Sequence, residues 1–172
     1  MRALLSNQQR ILVASAVVLA AAALGALAVI DPGKDEQARP PDSCDVLRAD
    51  SVGKALRTPP DRVVAVPRPP DPEGDRCNYE DKNTRRLVFF VRVEESKDRA
   101  QALQLARSLP GTPVPGVGEV ARFDQTPARS QMTAFAGRHW VFMTSVTAAV
   151  PQEAMANLAR QAIAQSARLP RR

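Results

Sequence analysis

His139 is the only histidine in the chain, and Cys44 and Cys77 are its only cysteines. These three side chains are the natural candidates for proton transfer, nucleophilic attack or metal binding. A histidine acts as general base in acyl transfer only with a nucleophile at hydrogen-bond distance and a third group that orients the ring. The sequence has no G-x-S-x-G or S-x-x-K motif to supply one. Two cysteines and one histidine fall one ligand short of a closed tetrahedral zinc site and include no local C-x-x-C pair. The adjacent carboxylates Glu94 and Glu95 project from opposite faces of a strand and cannot flank one glycosidic bond. These patterns predict no catalytic residue, no metal and no cofactor.

Two further patterns need their context. Gly116-x-Gly118-x-x-Ala121 matches the dinucleotide fingerprint letter by letter. That motif joins a strand to a helix, whereas here Pro115 precedes it and Arg122-Phe123 reads as strand, so a loop entering a strand is expected. Phe135, Trp140 and Phe142 could line an apolar groove. At i, i+2 spacing Trp140 and Phe142 share one strand face, which predicts core.

Residues 11–30, ILVASAVVLAAAALGALAVI, contain no charge. As a helix this block is about 30 Å long, the thickness of a bilayer's hydrocarbon core. Arg2 and Arg10 precede it, while Asp31, Lys34, Asp35 and Glu36 follow. The positive-inside rule then places residues 1–10 in the cytoplasm and residues 31–172 outside. The alternative is a signal peptide cleaved after Ala28, at the A-x-A site Ala26-Leu27-Ala28, which would leave a secreted protein. Signal h-regions run about 7–15 residues, so the length favours an anchor contacting lipid. Cys44 is no lipidation site, because it lies fourteen residues beyond Ile30 and follows Pro41-Asp42-Ser43. In an oxidising compartment the two thiols have one intramolecular pairing, Cys44 with Cys77.

The chain carries 24 basic and 18 acidic residues, net +6, with 20 arginines to 4 lysines. An arginine-, alanine- and proline-rich composition follows from GC-rich codons, so basicity alone predicts no nucleic-acid partner. Residues 31–43 are charged and proline-bearing, as in a stalk. The folded domain is expected over residues 44–169. A short helix with Asp50 as its N-cap type carries Val52, Ala55 and Leu56 and stops before Pro59-Pro60. Residues 62–66 are expected as an edge strand. Pro67-x-x-Pro70 and Pro69-x-x-Pro72 are expected in a surface loop inside the disulfide ring. Residues 87–94 alternate as a strand, and Ser96 begins a helix to Leu109 with Ala100, Leu103 and Ala106 on one face. A strand near residues 119–123, a hairpin turning at Gly137-Arg138 and a helix from Pro151 with Met155, Leu158, Ala159, Ala162 and Ile163 on one face complete the chain. The expected fold is α+β, with about five mostly antiparallel strands against about three helices, after one N-terminal transmembrane helix.

The run Cys44-Asp45-Val46-Leu47, the segment Cys77-Asn78-Tyr79, the strand at 87–93, Val117-Gly118-Glu119-Val120-Ala121 and the terminal Ala/Leu helix together resemble a small actinobacterial group of secreted and lipoprotein domains of unknown function. The resemblance spans about residues 44–169. Many members attach by a lipidated cysteine, where this chain has an apolar segment. What the resemblance implies is an envelope-facing, non-enzymatic domain, without assigning any catalytic residue. Two functions fit: a binding or sensing module for a small ligand or an envelope protein, or a structural accessory of a membrane complex. The second requires an exposed apolar patch.

Overall fold

The structure, a computed structural model, describes residues 43–69 and 75–168. The apolar segment 11–30, residues 31–42 of the stalk and the second proline of each P-x-x-P pattern lie outside the described residues. Among the described residues no helix is long and apolar enough to cross a membrane.

The domain opens with α1 (Ala49–Ala55) and a 3-10 turn, Pro60–Arg62. Then follow β1 (Val63–Pro67), β2 (Asp75–Asp81), β3 (Leu87–Glu95), α2 (Arg99–Ser108), β4 (Thr112–Pro113), β5 (Val120–Thr126), β6 (Arg129–Ala136), β7 (His139–Ser145) and α3 (Gln152–Ser166). All strands pair antiparallel in one sheet of order β1-β2-β3-β7-β6-β5-β4. The fold is α+β, with seven strands where about five were expected. The two additional strands are β2 and β4. β2 reads Asp75-Arg76-Cys77-Asn78-Tyr79-Glu80-Asp81, a run whose acidic and amide residues have low strand propensity, and pairing on both sides overrides that.

The sheet's inner face carries Cys77, Tyr79, Phe89, Val91, Met132, Val141 and Met143, all fully buried. Against them pack α3, through Met155, Leu158, Ala159 and Ala162, and the segment before α1, through Val46 and Leu47. The expected face of the last helix is therefore the observed one. Cys44 and Cys77 form the expected disulfide, with Cα atoms 4.9 Å apart. Beside it the Tyr79 hydroxyl donates to the Leu47 carbonyl at 2.7 Å. Burial, with Asp45's charge adding to it, holds that phenol in its neutral form by pushing its pKa up.

Local signals misplace two caps. Asp50 sits inside the first turn of α1 and accepts from Arg48 Nε at 3.0 Å, while Arg48 holds the N-cap position. In α2 the cap is Asp98, whose carboxylate accepts from Gln101 N at 3.0 Å, and Ser96 lies ahead of the helix. The buried face of α2 is Ala102 and Ala106, with Ala100 exposed. α1 ends before the prolines: Thr58 N donates to Gly53 O and Arg57 N to Lys54 O, with Arg57 at φ 55°. This is a Schellman closure with arginine where glycine is usual, at a conformational cost of about 1–2 kcal/mol.

Candidate functional site

The sheet is two-sided, and the described residues cover only half of its outer face. Helix α2 packs on β5 and β6 there, seating Ala102 and Ala106 against Phe135 and Trp140. Among the described residues no helix covers the outer face of β1, β2 and β3. Cross-strand register arranges this face in rows. Asn78, Phe90, Thr144 and Gln131 form one row; Arg76, Arg92, Phe142 and Thr133 form the next; Glu94, Trp140, Phe135 and Val120 form the third.

Guanidinium groups and rings alternate across these rows. Arg76 lies 4.2 Å over the Phe90 ring centroid, and Arg92 lies 4.7 Å over that of Phe142. Phe142 stacks on Trp140 at 5.7 Å and 13°, and Trp140 tilts onto Phe135 at 5.0 Å. Each half-buried cation–π contact is worth about 1 kcal/mol and, more to the point, fixes where the guanidinium plane sits. Arg92 also pairs with Glu94 at 2.8 Å. Arg76 donates from Nε to Asn78 Oδ1 at 2.9 Å and makes no ion pair among the described residues. Arg76 and Arg92 stand directly opposite each other on neighbouring strands, an arrangement that costs stability when like charges meet.

Next to the third row a groove of about 540 Å³ runs along α2. Trp140 forms its floor, and Gln101, Gln104, Leu105 and Ser108 form the helix wall. Leu105 is 54% exposed, the most open large apolar side chain among the described residues. The face thus offers planar cations, ring edges, amides and hydroxyls, and next to them an apolar slot.

The residues singled out by sequence are dispersed. His139 starts β7 opposite Glu95 and Ala136, is half-buried, and its ring makes no hydrogen bond among the described residues. Glu94 and Glu95 point to opposite faces and engage Arg92 and Arg138 respectively. Among the described residues no three His, Cys, Asp or Glu side chains gather as a metal site. Gly116 and Gly118 lie in a turn that leads into β5, as the loop reading predicts. Gly118 has φ +59°, and a Cβ there would stand 2.6 Å from Phe135 O; close backbone approach requires the glycine. Of the aromatics, Phe135 and Trp140 are buried under α2, while Phe142 is half-buried on the open face.

Arg76, Phe90 and Arg92 were not candidates from sequence. The signal lay in β3, where Phe90, Arg92 and Glu94 alternate with the buried Phe89, Val91 and Val93; without β2 recognised, Arg76 had no neighbour.

Comparison with protein-family models, with curated proteins and with solved structures gave no match.

Proposed function

We propose that residues 44–169 are an extracytoplasmic binding module of the cell envelope, held at the membrane by residues 11–30 or released after Ala28, which takes its ligand on the outer face of the sheet and performs no chemistry on it. One observation carries this reading: two guanidinium groups fixed side by side on aromatic rings, on a face that no described helix covers. A face built only for folding gains by placing opposite charges or β-branched residues at such a pair. Stacked, pre-oriented guanidiniums suit a planar anionic group, carboxylate or phosphate, because the fork geometry is set before binding. The groove along α2 then suits an apolar portion of the same ligand. The resemblance to small envelope-facing domains points the same way.

The accessory-subunit reading is second. It needs a continuous apolar patch, and the exposed large apolar residues among those described are Leu105 on α2 and Val146 after β7, too far apart in the fold to make one.

The test uses the full chain immobilised in detergent and challenged with native envelope extract. Arg76→Gln and Leu105→Glu are expected to lose retention of an envelope component while the melting temperature stays within about 2 °C of wild type, as for surface substitutions generally. Retention unaffected by both variants would remove this face from the reading. Steady turnover of an envelope substrate, lost on one side-chain truncation without unfolding, would overturn its non-enzymatic character.

A further inference from the structure

The antiparallel register gathers four segments at one end of the sheet: the approach to β1, the β2–β3 turn, the β5–β6 turn and the loop from β7 to α3. Five exposed cations stand there, Arg57, Lys82, Arg85, Arg86 and Arg129, and none of them makes an ion pair among the described residues. Asp81, the carboxylate in their midst, is committed: it accepts from Asn83 N and Thr84 N at 2.9 Å and pairs with Arg62 at 2.7 Å. The other acids at this end are Asp61, Glu80, Asp124 and Glu153, of which Glu80 pairs with Arg68 and Glu153 with Arg160 on its own helix. The opposite end is built differently. There Glu94, Glu95 and Glu119 bind Arg92, Arg138 and Arg99. Among the described residues cations without an ion pair stand elsewhere too, Arg76, Lys97 and Arg107 among them, but these five share one end with the loop that follows β7.

A second feature shares that end. Val146, 37% exposed, donates its amide to Val88 O, which sets it beside the start of β3 and the basic turn. After it Thr147, Ala148 and Ala149 are also exposed, a loop without charge. Cations flanking a small apolar loop are the chemistry of a surface that meets lipid headgroups, with charge facing phosphates and methyl groups reaching the acyl boundary.

We propose that this end docks on anionic phospholipid of the same bilayer. The proposal rests on the reading of residues 11–30 as an anchor. Fourteen peptide steps separate Ile30 from Cys44 and reach at most about 50 Å fully extended, so an anchored chain keeps the domain close to the membrane. At such proximity contacts too weak to hold a free protein are populated. Docked this way, the strands stand upright on the bilayer, and the Arg76–Arg92 face is presented sideways.

The experiment is hydrogen exchange on the full chain in nanodiscs of phosphatidylcholine alone or with phosphatidylglycerol. Amides of residues 82–86 and 146–149 should exchange several-fold more slowly in the anionic discs. The difference should vanish in about 0.5 M salt, and residues 137–138 at the far end should not change. The variant Lys82→Glu/Arg86→Glu should abolish the difference without shifting the melting temperature. Equal exchange in both discs overturns the proposal, as does protection by soluble polyphosphate and not by anionic discs. A chain that does not enter the discs refutes the anchor reading separately. Flotation with anionic vesicles then decides the headgroup contact: binding lost in the charge-reversed variant supports it, and no binding overturns it.

Discussion

Removing the bridge with Cys44→Ala/Cys77→Ala should lower stability by about 4 kcal/mol. The two cysteines are 33 residues apart in sequence. In the chain-entropy model, releasing a ring of that size returns about 4 kcal/mol of conformational freedom to the unfolded chain at 25 °C. Cys77 is fully buried, so its truncation adds a sulfur-sized void worth up to about 1 kcal/mol. The native arrangement has other ties. Val46, Leu47 and Val52 are buried and the Tyr79–Leu47 hydrogen bond is independent of the sulfurs, so the variant should fold and lose stability rather than structure. With an unfolding entropy of about 2.1 cal/mol/K per residue over roughly 125 ordered residues, 4 kcal/mol corresponds to about 15 °C in melting temperature. The assay is reversible thermal unfolding followed by circular dichroism, with wild type in strong reductant as the parallel sample. Both should melt about 15 °C below the oxidised protein. A loss under about 5 °C in both would refute the reasoning, because it would mean that the ring constrains an unfolded ensemble already restricted by residual structure.

Three further outcomes are expected. Tyr79→Phe strands the buried Leu47 carbonyl and should cost about 1–3 kcal/mol by chemical denaturation; a change below about 0.5 kcal/mol would mean that a water replaces the hydroxyl. Gly118→Ala meets both a positive φ and the Phe135 carbonyl, whereas Gly116, at φ +72°, has nothing near its missing Cβ. The first should destabilise by about 2–4 kcal/mol and the second by about 1 kcal/mol, with equal losses counting against close approach as the cause. The Thr84 amide, then the Asn83 amide and Arg62, hold the Asp81 carboxyl below the usual carboxylate range against the opposing effect of burial. A depressed folded pKa favours the folded state wherever the group is ionised, so this contribution is present above about pH 4 and lost as pH falls through the folded value. The melting-temperature gap between wild type and Asp81→Asn should therefore narrow below about pH 4, and a gap constant with pH would sink that account.

Strong periodicity and exceptional residues were readable along the chain because their causes are local. The alternation in β3, the hairpin at Gly137-Arg138 and the apolar stripe of α3 each follow from the geometry of one element. The disulfide followed from there being two thiols in a chain whose apolar segment 11–30 reads as an anchor or signal peptide. β2 was not readable. Asp75, Asn78, Glu80 and Asp81 argue against a strand taken alone, and only partners on both sides supply what propensity withholds. The helix starts failed for a related reason. Several residues of cap type crowd each boundary, and Asp98 wins over Ser96 because the approach of the chain from β3, not residue type, selects the position.

Net charge was equally ambiguous in one dimension. Arginine-rich composition predicts a basic protein and nothing about where its charge lies. The fold pairs Arg62, Arg92, Arg99 and Arg138 with carboxylates and leaves Arg57, Lys82, Arg85, Arg86 and Arg129 exposed in or beside turns. By itself the sequence determined the α+β class, the core faces of its most regular elements and the pairing of Cys44 with Cys77. The tertiary structure decided the register of the seven-stranded sheet, the Arg76–Arg92 row and which arginines meet carboxylates. Those depend on which strands become neighbours, and side chains distant in sequence acquire a common surface only when backbone hydrogen bonds between strands bring them together.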